Sequence, residues 1–419
     1  MKVLHVNTYD IVGGAARAAY RLHKGLCRLE QESYMLVAER RSEDSSVSNF
    51  KPPTDLPSRL RRRFRSKLID RCFARYRASR PTGYELFSDD RSQYGIDLLK
   101  QLPQCDAVNL HWIAGYVDYQ SFFAKVPERT PVVWTLHDMN PFTGGCHYDH
   151  GCSRYKDKCG ACPQLGSNDR NDLSNQIWKR KYKTFKRIPP NKLHIVALNQ
   201  WMADEVKKSS LLRRFPISII PNGLDTEVFT PRDSNVARDA LEIPREAKVI
   251  LFIAGSLNNR RKGFDMVLQA LAGMSDLPSL FLLTLGSGKP SVEFPIPNLH
   301  LGHIANERLL SLVYSAADLF VIPSLQDNLP NTVLESLSCG TPVVGFDVGG
   351  IPEMVRSSVT GMLAPPQDVK ALQTTIIQLL KDDNRRREMA ANCRRIAVEE
   401  YSLEVQAQRY VELYEQILK

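Results

Sequence analysis

The chain has 419 residues, of which 43% are hydrophobic and 24% charged. This length exceeds that of one ordinary core and predicts two domains, and the composition excludes a disordered or fibrous protein. No apolar run approaches the ~20 residues that a membrane-spanning helix needs. The first residues predict a short strand and not a signal peptide. Nine cysteines in such a chain favour a reducing, cytoplasmic compartment with mostly free thiols.

The net charge of +10 is concentrated in one segment. Residues 59–80 contain ten Lys or Arg and one acid, so this window alone carries ten minus one, or +9. Apolar side chains recur there every four residues, which predicts an amphipathic basic helix suited to an anionic membrane surface: Leu60, Phe64, Leu68, Cys72 and Tyr76. Packing of the apolar face against the domain, with a solvated basic rim, is the main alternative. No nucleic-acid-binding motif accompanies the segment, so nucleic acid is not predicted as a partner.

In the first half of the chain, candidate ligand residues follow predicted strands. The apolar run 3–6 predicts a buried strand, and the loop after it ends at Gly14, where a helix is predicted to begin. The run 131–136 predicts another strand, and His137 follows it at the carboxyl end, where open α/β sheets bind ligands. His137 could there donate a hydrogen bond to a substrate hydroxyl or stabilise charge. A structural histidine bonded to Asp138 or to the backbone is the alternative.

Four cysteines fall within seventeen residues: Cys146, Cys152, Cys159 and Cys162. Four thiolates can close a tetrahedral zinc site in a loop that has little core of its own. The first pair is spaced more widely than in a usual zinc knuckle, whereas the last pair forms Cys-x-x-Cys followed by proline. Two disulfides and free thiols are the alternatives, and a reducing compartment argues against the disulfides. In none of these cases are the cysteines predicted to be catalytic.

A second set of strands and helices follows residues 226–246, which mix proline and charge and predict a linker. The strand predicted over 248–254 leads into a basic loop bounded by glycines, in which Arg260, Arg261 and Lys262 directly precede a helix. Basic side chains before a helix N-terminus suit an anion. A solvated loop is the alternative interpretation.

Residues 318–345 predict a strand, a polar loop, a helix and a further strand, in that order. The helix start offers unpaired backbone N–H groups and a partial positive charge to an anion. Asp327 in the loop and Glu335 in the helix would repel phosphate but could accept hydrogen bonds from hydroxyls. A ligand with anionic phosphates and hydroxyl-rich ends, such as a nucleotide sugar, would use both features. The alternative is that both acids are merely solvated.

These motifs, in this order, resemble the retaining glycosyltransferases of family 4, which have the GT-B fold. The resemblance extends over nearly the whole chain and implies an α/β protein with two Rossmann-like domains facing a cleft. The implied N-terminal, acceptor-side domain covers 1–222, with 402–419 crossing back to it, and the implied nucleotide-sugar-binding domain covers 223–401. The cysteine-rich insertion at 144–167 is similar to that of bacterial members that build surface polysaccharides. The motifs that carry the resemblance lie at 219–225, 261–263, 327–335 and 349–353.

The resemblance also implies roles for individual residues. Lys262 would bind the donor diphosphate, and Glu335 would hold the ribose. Asp327 takes the place of a family glutamate at the donor sugar, and this shorter carboxylate predicts a different sugar. Ser256 stands where the family has an arginine, so a neighbouring arginine would supply that charge. The implied donor-binding residues are Gly14, Ser256, Arg261, Lys262, Ile304, Asp327, Asn328, Leu329 and Glu335, and the implied catalytic residues are His137 and Asp327.

The predicted activity is transfer of a hexose from a nucleotide-diphosphate sugar to a glycan acceptor, with retention of anomeric configuration. Protein groups would stabilise the departing diphosphate, so no metal is predicted for catalysis. The basic helix favours a lipid-linked oligosaccharide acceptor and a cytoplasmic location, peripheral on the inner face of the plasma membrane. Two other functions fit the same architecture: a nucleotide-sugar epimerase, and a non-catalytic membrane-associated subunit that binds nucleotide sugar.

Overall fold

The computed structural model describes residues 1–274, 277–288, 294 and 296–419. Within these residues the chain divides into two compact units. We call Met1–Pro221 together with Ala407–Lys419 the N-terminal unit, and Asn222–Gln406 the C-terminal unit. Each unit is built on one parallel β-sheet with helices between most successive strands, which defines the α/β class.

The N-terminal unit contains seven parallel strands in the order β3-β2-β1-β4-β5-β6-β7. Adjacent residues of β1, Val3 and Leu4, belong to different buried clusters, so both faces of the sheet are covered, which explains the continuous apolar strands. The strands are β1 Lys2–Tyr9, β2 Glu32–Glu39, β3 Val47–Asn49, β4 Ala107–Leu110, β5 Val132–Leu136, β6 Leu193–Ala197 and β7 Ile217–Ile219. The helices are α1 Gly14–Arg28, α2 Leu56–Ala74, α3 Tyr119–Lys125, α4 Leu173–Lys186 and α5 Gln200–Lys208.

The C-terminal unit contains six parallel strands in the order β10-β9-β8-β11-β12-β13. The strands are β8 Lys248–Ser256, β9 Leu280–Ser287, β10 Asn298–His300, β11 Leu319–Ile322, β12 Val343–Phe346 and β13 Gly361–Ala364. The helices are α6 Ser234–Ala240, α7 Phe264–Ala272, α8 Glu307–Ala316, α9 Asn331–Ser338, α10 Ile351–Met354, α11 Val369–Lys381 and α12 Asp383–Tyr401. Helix α13, Leu403–Leu418, begins in this unit and continues into the N-terminal unit. In both sheets the strand order is that of a Rossmann fold, and it reverses beside the first strand.

Helix α13 contributes to the core of the N-terminal unit, to which its residues from Ala407 onward belong. Tyr410 and Tyr414 are buried there in a cluster with Val3 and Ala107. Their hydroxyls are hydrogen-bonded within the unit: Tyr414 accepts from the Asn109 side chain at 2.8 Å.

The prediction of a linker over 226–246 is wrong. These residues belong to the C-terminal unit and include helix α6, which is capped by the Asp233 side chain. Phe229 is fully buried, and the buried guanidinium of Arg238 pairs with Asp318 at 2.9 Å. A paired buried arginine takes part in a core without adding to the apolar pattern, which is why composition alone predicted a linker.

Candidate functional site

The N-terminal unit presents its predicted residues at the carboxyl edge of its sheet. The loop after β1 is exposed at Gly14, where helix α1 begins. Strands β4 and β5 are neighbours, and they end one residue before His111 and His137, respectively. The order of the sheet reverses between β1 and β4, so these residues lie where open α/β sheets bind ligands.

His137 ends a row of three hydrogen-bonded imidazoles. Its Nε2 atom lies 3.1 Å from Nδ1 of His111, and Nε2 of His111 lies 2.9 Å from Nδ1 of His5. His5 and His111 are buried, whereas His137 is partly exposed. Desolvation lowers the pKa of all three imidazoles, that of His137 to about 4. The whole row is therefore neutral at pH 7.

Asp138, the next residue along the chain, is held by a second network. Its Oδ2 atom accepts a hydrogen bond from the Trp112 indole at 2.9 Å and lies 2.6 Å from Nδ1 of His147. Burial alone would raise the pKa of Asp138, but the interaction with His147 holds it below its ordinary value. His147 belongs to the cysteine-rich segment, so this carboxylate ties that segment to the edge of the sheet.

The neutral imidazoles predict that mild acid destabilises the protein. Desolvation lowers the pKa of His5, His23, His111 and His137 in the folded state, those of His23 and His137 to about 4. Between pH 6.5 and about 4 the unfolded chain therefore binds more protons than the folded chain. Each imidazole then lowers the free energy of unfolding by about 1.4 kcal/mol per pH unit as the pH falls.

Among the described residues, the Asp90 carboxyl opposes this effect, because burial raises its pKa to about 7. Four imidazoles outweigh one carboxyl, so we expect a net loss of stability between pH 6.5 and pH 4.5. Chemical denaturation at several pH values in this range measures it. Equal free energies of unfolding throughout would contradict the neutral imidazole row.

In the C-terminal unit, loops that follow three neighbouring strands meet. The backbone N–H of Leu325, after β11, donates to the carbonyl of Arg261, after β8, at 2.7 Å. The backbone N–H of Gly350, after β12, donates to the carbonyl of Asp327 at 3.1 Å. The strand order reverses between β8 and β11, so this meeting point is the ligand-binding position of a Rossmann sheet.

Two glycines permit the close approach of these loops. A Cβ atom on Gly263 would lie 2.1 Å from the carbonyl oxygen of Pro323, and one on Gly349 would lie 2.0 Å from that of Asp327. Both glycines also have positive φ angles. Any side chain at either position would push the loops apart, so these residues fix the distance between the basic loop and Asp327.

Asp327 forms ion pairs with two of the predicted donor-binding residues. Its Oδ2 atom lies 2.6 Å from Lys262 Nζ and 3.2 Å from Arg261 Nη1, and it accepts a hydrogen bond from Ser324. Arg261 and Asp327 are buried, whereas Lys262 is partly exposed. Burial alone would raise the pKa of Asp327, but Lys262 and Arg261 hold it well below its ordinary value. The carboxylate thus places two cations side by side at the edge of the sheet.

Three further predicted donor-binding residues are buried and follow Asp327 closely in the chain. Glu335 lies in helix α9 and accepts a hydrogen bond from the Tyr314 hydroxyl at 3.1 Å. Asn328 and Leu329 lie between Asp327 and the start of that helix. The sequence did not indicate Tyr314, because its hydroxyl reaches Glu335 from the preceding helix, α8.

The remaining predicted residues are distributed over both units. Ser256 is the last residue of β8 and is partly exposed, and Ile304 is partly exposed between β10 and α8. These two residues belong to the C-terminal unit, with Lys262 and Asp327. Gly14 and His137 belong to the N-terminal unit.

The four clustered cysteines surround one small cavity. Its volume is about 20 Å³, and Cys146, Cys152, Cys159 and Cys162 all line it. None of the nine cysteines, all of which lie in the described ranges, forms a disulfide. Among the residues that the structure describes, no group of three or more His, Cys, Asp or Glu side chains is arranged as it stands to hold a metal ion. The four thiols therefore surround a cavity that is large enough for one particle of the size of a water molecule.

The predicted basic helix is α2, and it ends at Ala74 rather than at Arg80. The predicted row of apolar residues also does not lie on one face, because a spacing of four residues drifts by about 40° per step in a helix of 3.6 residues per turn. Cys72 and Tyr76, at the end of the row, pack against a buried cluster that includes Cys162 and Ile177.

The first part of the same row is exposed. Leu60, Phe64 and Leu68 are 55%, 64% and 44% exposed, and Leu56, four residues before the row, is 67% exposed. The helix is attached to the unit through Arg65, which pairs with Asp118. Basic residues flank the exposed row, and they are Arg59, Arg63, Lys67 and Arg71. Helix α2 thus presents an apolar row with a basic border to solvent. Of the helices in the described ranges, none is long and apolar enough to cross a membrane.

The two parallel sheets and their strand orders define the class of fold, and comparisons with known proteins agree. The two Rossmann-like sheets are those of a GT-B glycosyltransferase. Residues 12–228 match the family model described as Glycosyltransferase Family 4, and residues 247–382 match the model described as Glycosyl transferases group 1. The chain belongs to glycosyltransferase family 4. The predictions of the fold class and of the family are confirmed.

Relatives and solved structures extend the comparison. The chain is 35% identical over 218 residues to a D-inositol 3-phosphate glycosyltransferase from Corynebacterium urealyticum, a match that covers 47% of this chain and 50% of that protein. The chain thus spans about half the length of that curated relative.

Two solved structures are similar over nearly their whole length. Anabaena Alr3699/HepE in complex with UDP-glucose is 16% identical, with a TM-score of 0.64 over 99% of this chain and 100% of the other. WaaG, a glycosyltransferase involved in lipopolysaccharide biosynthesis, is 16% identical, with a TM-score of 0.65 over 98% and 99%. At these identities the similarity shows the fold alone.

Proposed function

We propose that this protein transfers a hexose from a nucleotide-diphosphate sugar to a glycan acceptor, with retention of anomeric configuration. The observation that carries this proposal is the pair of cations, Lys262 and Arg261, held beside each other by Asp327 at the reversal point of the C-terminal sheet. Two adjacent cations match the two phosphates of a nucleoside diphosphate. The solved Anabaena protein, which shares the fold, holds UDP-glucose.

The remaining donor contacts follow from the positions of the other residues. Helix α9 begins at Asn331, directly after the Asp327 loop, so its first N–H groups add positive charge near the phosphates. Glu335, held by Tyr314, would bind the ribose hydroxyls. Asn328 and Leu329 would border the sugar. Ser256 and Ile304 would complete the donor site, with Ile304 beside the base. Gly14 would allow a donor to approach the carboxyl edge of the N-terminal sheet closely.

The chemistry that we propose is stabilisation of the leaving group. As the bond between the sugar and the diphosphate breaks, negative charge develops on the phosphate oxygen, and Lys262 and Arg261 stabilise it without reorganising. No reorganisation is needed because Asp327 already holds both cations in place before the donor binds. His137, neutral at pH 7, would donate a hydrogen bond to a sugar hydroxyl rather than supply positive charge. Retention would follow from attack of the acceptor on the face that the diphosphate leaves.

We propose a lipid-linked glycan as the acceptor and the cytoplasmic face of the plasma membrane as the location. The exposed apolar row of α2, bordered by basic residues, supports this proposal because such a surface enters the interface of an anionic bilayer. A role in surface polysaccharide synthesis fits the same acceptor. WaaG, which shares the fold, takes part in lipopolysaccharide biosynthesis.

The test of the proposed function is turnover of UDP-, GDP- and dTDP-sugars with and without membrane lipid extract. We expect release of nucleoside diphosphate from one of these donors, only when lipid is present. Conversion of the sugar without nucleotide release would show an epimerase instead. Binding of a donor without any turnover would show the non-catalytic subunit.

For the four clustered cysteines we propose a structural zinc ion. Zinc thiolates commonly accept backbone N–H groups, and here Gly144 donates to Cys159 Sγ at 3.2 Å, while two backbone N–H groups donate to Cys162. The fully buried ammonium of Lys181 interacts electrostatically with Cys146 and Cys159. It would offset the negative charge of a zinc ion with four thiolates.

Zinc predicts a metal content of one per chain and a loss of stability on chelation. A strong chelator should lower the melting temperature by about 5 °C, the shift that corresponds to about 2 kcal/mol in a domain of this size. Replacement of Cys159 and Cys162 by serine should abolish the metal, whereas Cys27→Ser and Cys105→Ser, outside the cluster, should not. Free thiols would be shown by three results together: no bound metal, nine thiols that react with a thiol reagent, and a melting temperature that the chelator does not change. Five thiols and a mass four hydrogens lower would show two disulfides.

A further inference from the structure

We propose that His111, backed by His5, is a positioning residue that holds His137 in one neutral tautomer, with Nε2 as acceptor and the ring proton on Nδ1. The inference concerns how His137 acts in the proposed glycosyl transfer and rests on that function only for its kinetic consequence. The hydrogen-bonding state of His137 is a property of the folded protein and is measurable without turnover.

The three histidines form a row that crosses the sheet. His5 lies within β1, and His111 and His137 follow β4 and β5, which are the next two strands in the sheet. Neighbouring rings stack, with centroids 5.2 Å and 5.3 Å apart and planes inclined by about 30°. Strand spacing therefore sets the distance between the rings, so the position of His137 is tied to the rigid part of the unit.

The direction of the hydrogen bonds along the row follows from the surroundings of His5, the buried histidine at the end opposite His137. Among the described residues, Nε2 of His5 is buried and has no hydrogen-bond partner. A buried N–H group without an acceptor costs more than an unfilled lone pair, so the proton of His5 belongs on Nδ1. It then donates to Nε2 of His111, and Nδ1–H of His111 donates to Nε2 of His137. The opposite direction would leave a buried N–H on His5 without an acceptor.

The groups around the row support neutral rings. His23 lies edge-on to His5 at 6.1 Å between centroids, and its own nitrogens are hydrogen-bonded to Ser33 and Ser46. Asp138 is the carboxylate next to His137, and it is paired with His147. The row therefore does not need a proton from solvent to complete its hydrogen bonds.

The consequence for catalysis is a fixed role for His137. An imidazole with Nε2 occupied by His111 has one proton to donate, at Nδ1, and no positive charge. His137 would thus act as a hydrogen-bond donor to the sugar and would not act as a general acid. Loss of His111 would allow the ring to exchange tautomers and to rotate, which lowers the fraction of His137 in the productive state.

The first test measures tautomers directly. Nitrogen-15 spectra of the full chain, labelled at histidine, distinguish Nδ1–H, Nε2–H and protonated rings, and His137→Gln assigns the relevant signals. We expect the Nδ1–H tautomer of His137 at pH 7, and a mixture of tautomers in His111→Leu. A pure Nε2–H tautomer or a protonated His137 in the unaltered protein would overturn the proposal.

The second test separates positioning from folding. His111→Leu should lower kcat about tenfold, which corresponds to about 1.4 kcal/mol, and should leave KM for the donor nearly unchanged. His111→Gln keeps an N–H donor and should recover part of kcat. The control is His194→Leu, a partly buried histidine of β6 bonded to Ser218, which should leave kcat unchanged. An unaltered kcat in His111→Leu would overturn the proposed role.

Discussion

Replacement of Lys262 by alanine is expected to lower kcat/KM for the nucleotide-sugar donor by about 10²–10³-fold, the usual effect of removing one group that stabilises a developing anion. Lys262 is the more exposed of the two cations that Asp327 holds, at 21% of its side chain, so it is the one that an incoming diphosphate can reach with least rearrangement. Both kcat and donor affinity should fall, because the diphosphate is charged before and during transfer. Steady-state kinetics and calorimetric titration with the nucleoside diphosphate measure the two effects.

The fold should survive this change, since Asp327 keeps its ion pair with Arg261 and its hydrogen bond from Ser324. A melting temperature within a few degrees of the unaltered protein would show that. Lys262→Arg should retain part of the activity because it keeps the charge. Lys370→Ala, on the exposed surface of α11, is the matched control and should change nothing. If Lys262→Ala bound the donor as tightly as the unaltered protein does, Lys262 would not be a diphosphate-binding residue.

Replacement of Leu60, Phe64 and Leu68 by serine is expected to weaken binding to anionic vesicles by about 10²–10³-fold. Each side chain is at least 44% exposed, and transfer of such a side chain out of water contributes about 1.5 kcal/mol or more. Three of them together contribute about 4.5 kcal/mol, which equals about three powers of ten in affinity. Sedimentation with vesicles rich in phosphatidylglycerol measures the change. Since these side chains are exposed, the variant should fold normally.

A matched control tests whether the location matters as well as the loss of apolar surface. Val236, Leu309 and Val398 are also exposed but lie in the C-terminal unit, and their replacement by serine should leave vesicle binding intact. Binding by the unaltered protein should weaken with added salt and should be poor on uncharged vesicles, because basic residues border the apolar row. Undiminished vesicle binding after the changes in α2 would exclude this helix as the membrane contact.

Local patterns were enough to predict the strand ends that carry His137 and Asp327. A buried parallel strand is an apolar run, and a polar residue directly after it lies at the carboxyl edge of the sheet whatever the strand order is. The ion pair between Lys262 and Asp327 was not predictable in the same way. These residues are 65 positions apart, and they meet because β8 and β11 are neighbours in the sheet. The same is true of His5 and His111, which are 106 positions apart.

For helix α2, the sequence predicted the charge of the helix but not how the helix packs. Its charge and its four-residue spacing predicted a basic helix, but not the side on which it packs. The apolar row drifts around the helix, so one end of the row meets a buried cluster at Cys72 and Tyr76 while the other end stays in water at Leu60 and Phe64. Which end is exposed depends on where the cysteine-rich segment lies, and that segment is distant in the chain.

By itself, the sequence determined the class of fold, the family and the strand ends at which the candidate residues lie, because these follow from patterns that span a few residues each. Only the tertiary structure decided that Asp327 holds two cations, that His111 and His5 support His137, that the four thiols share one cavity, and that α2 leaves an apolar row in solvent. Each of these depends on which distant segments become neighbours. Packing of whole strands and helices sets that neighbourhood, and no local pattern encodes it.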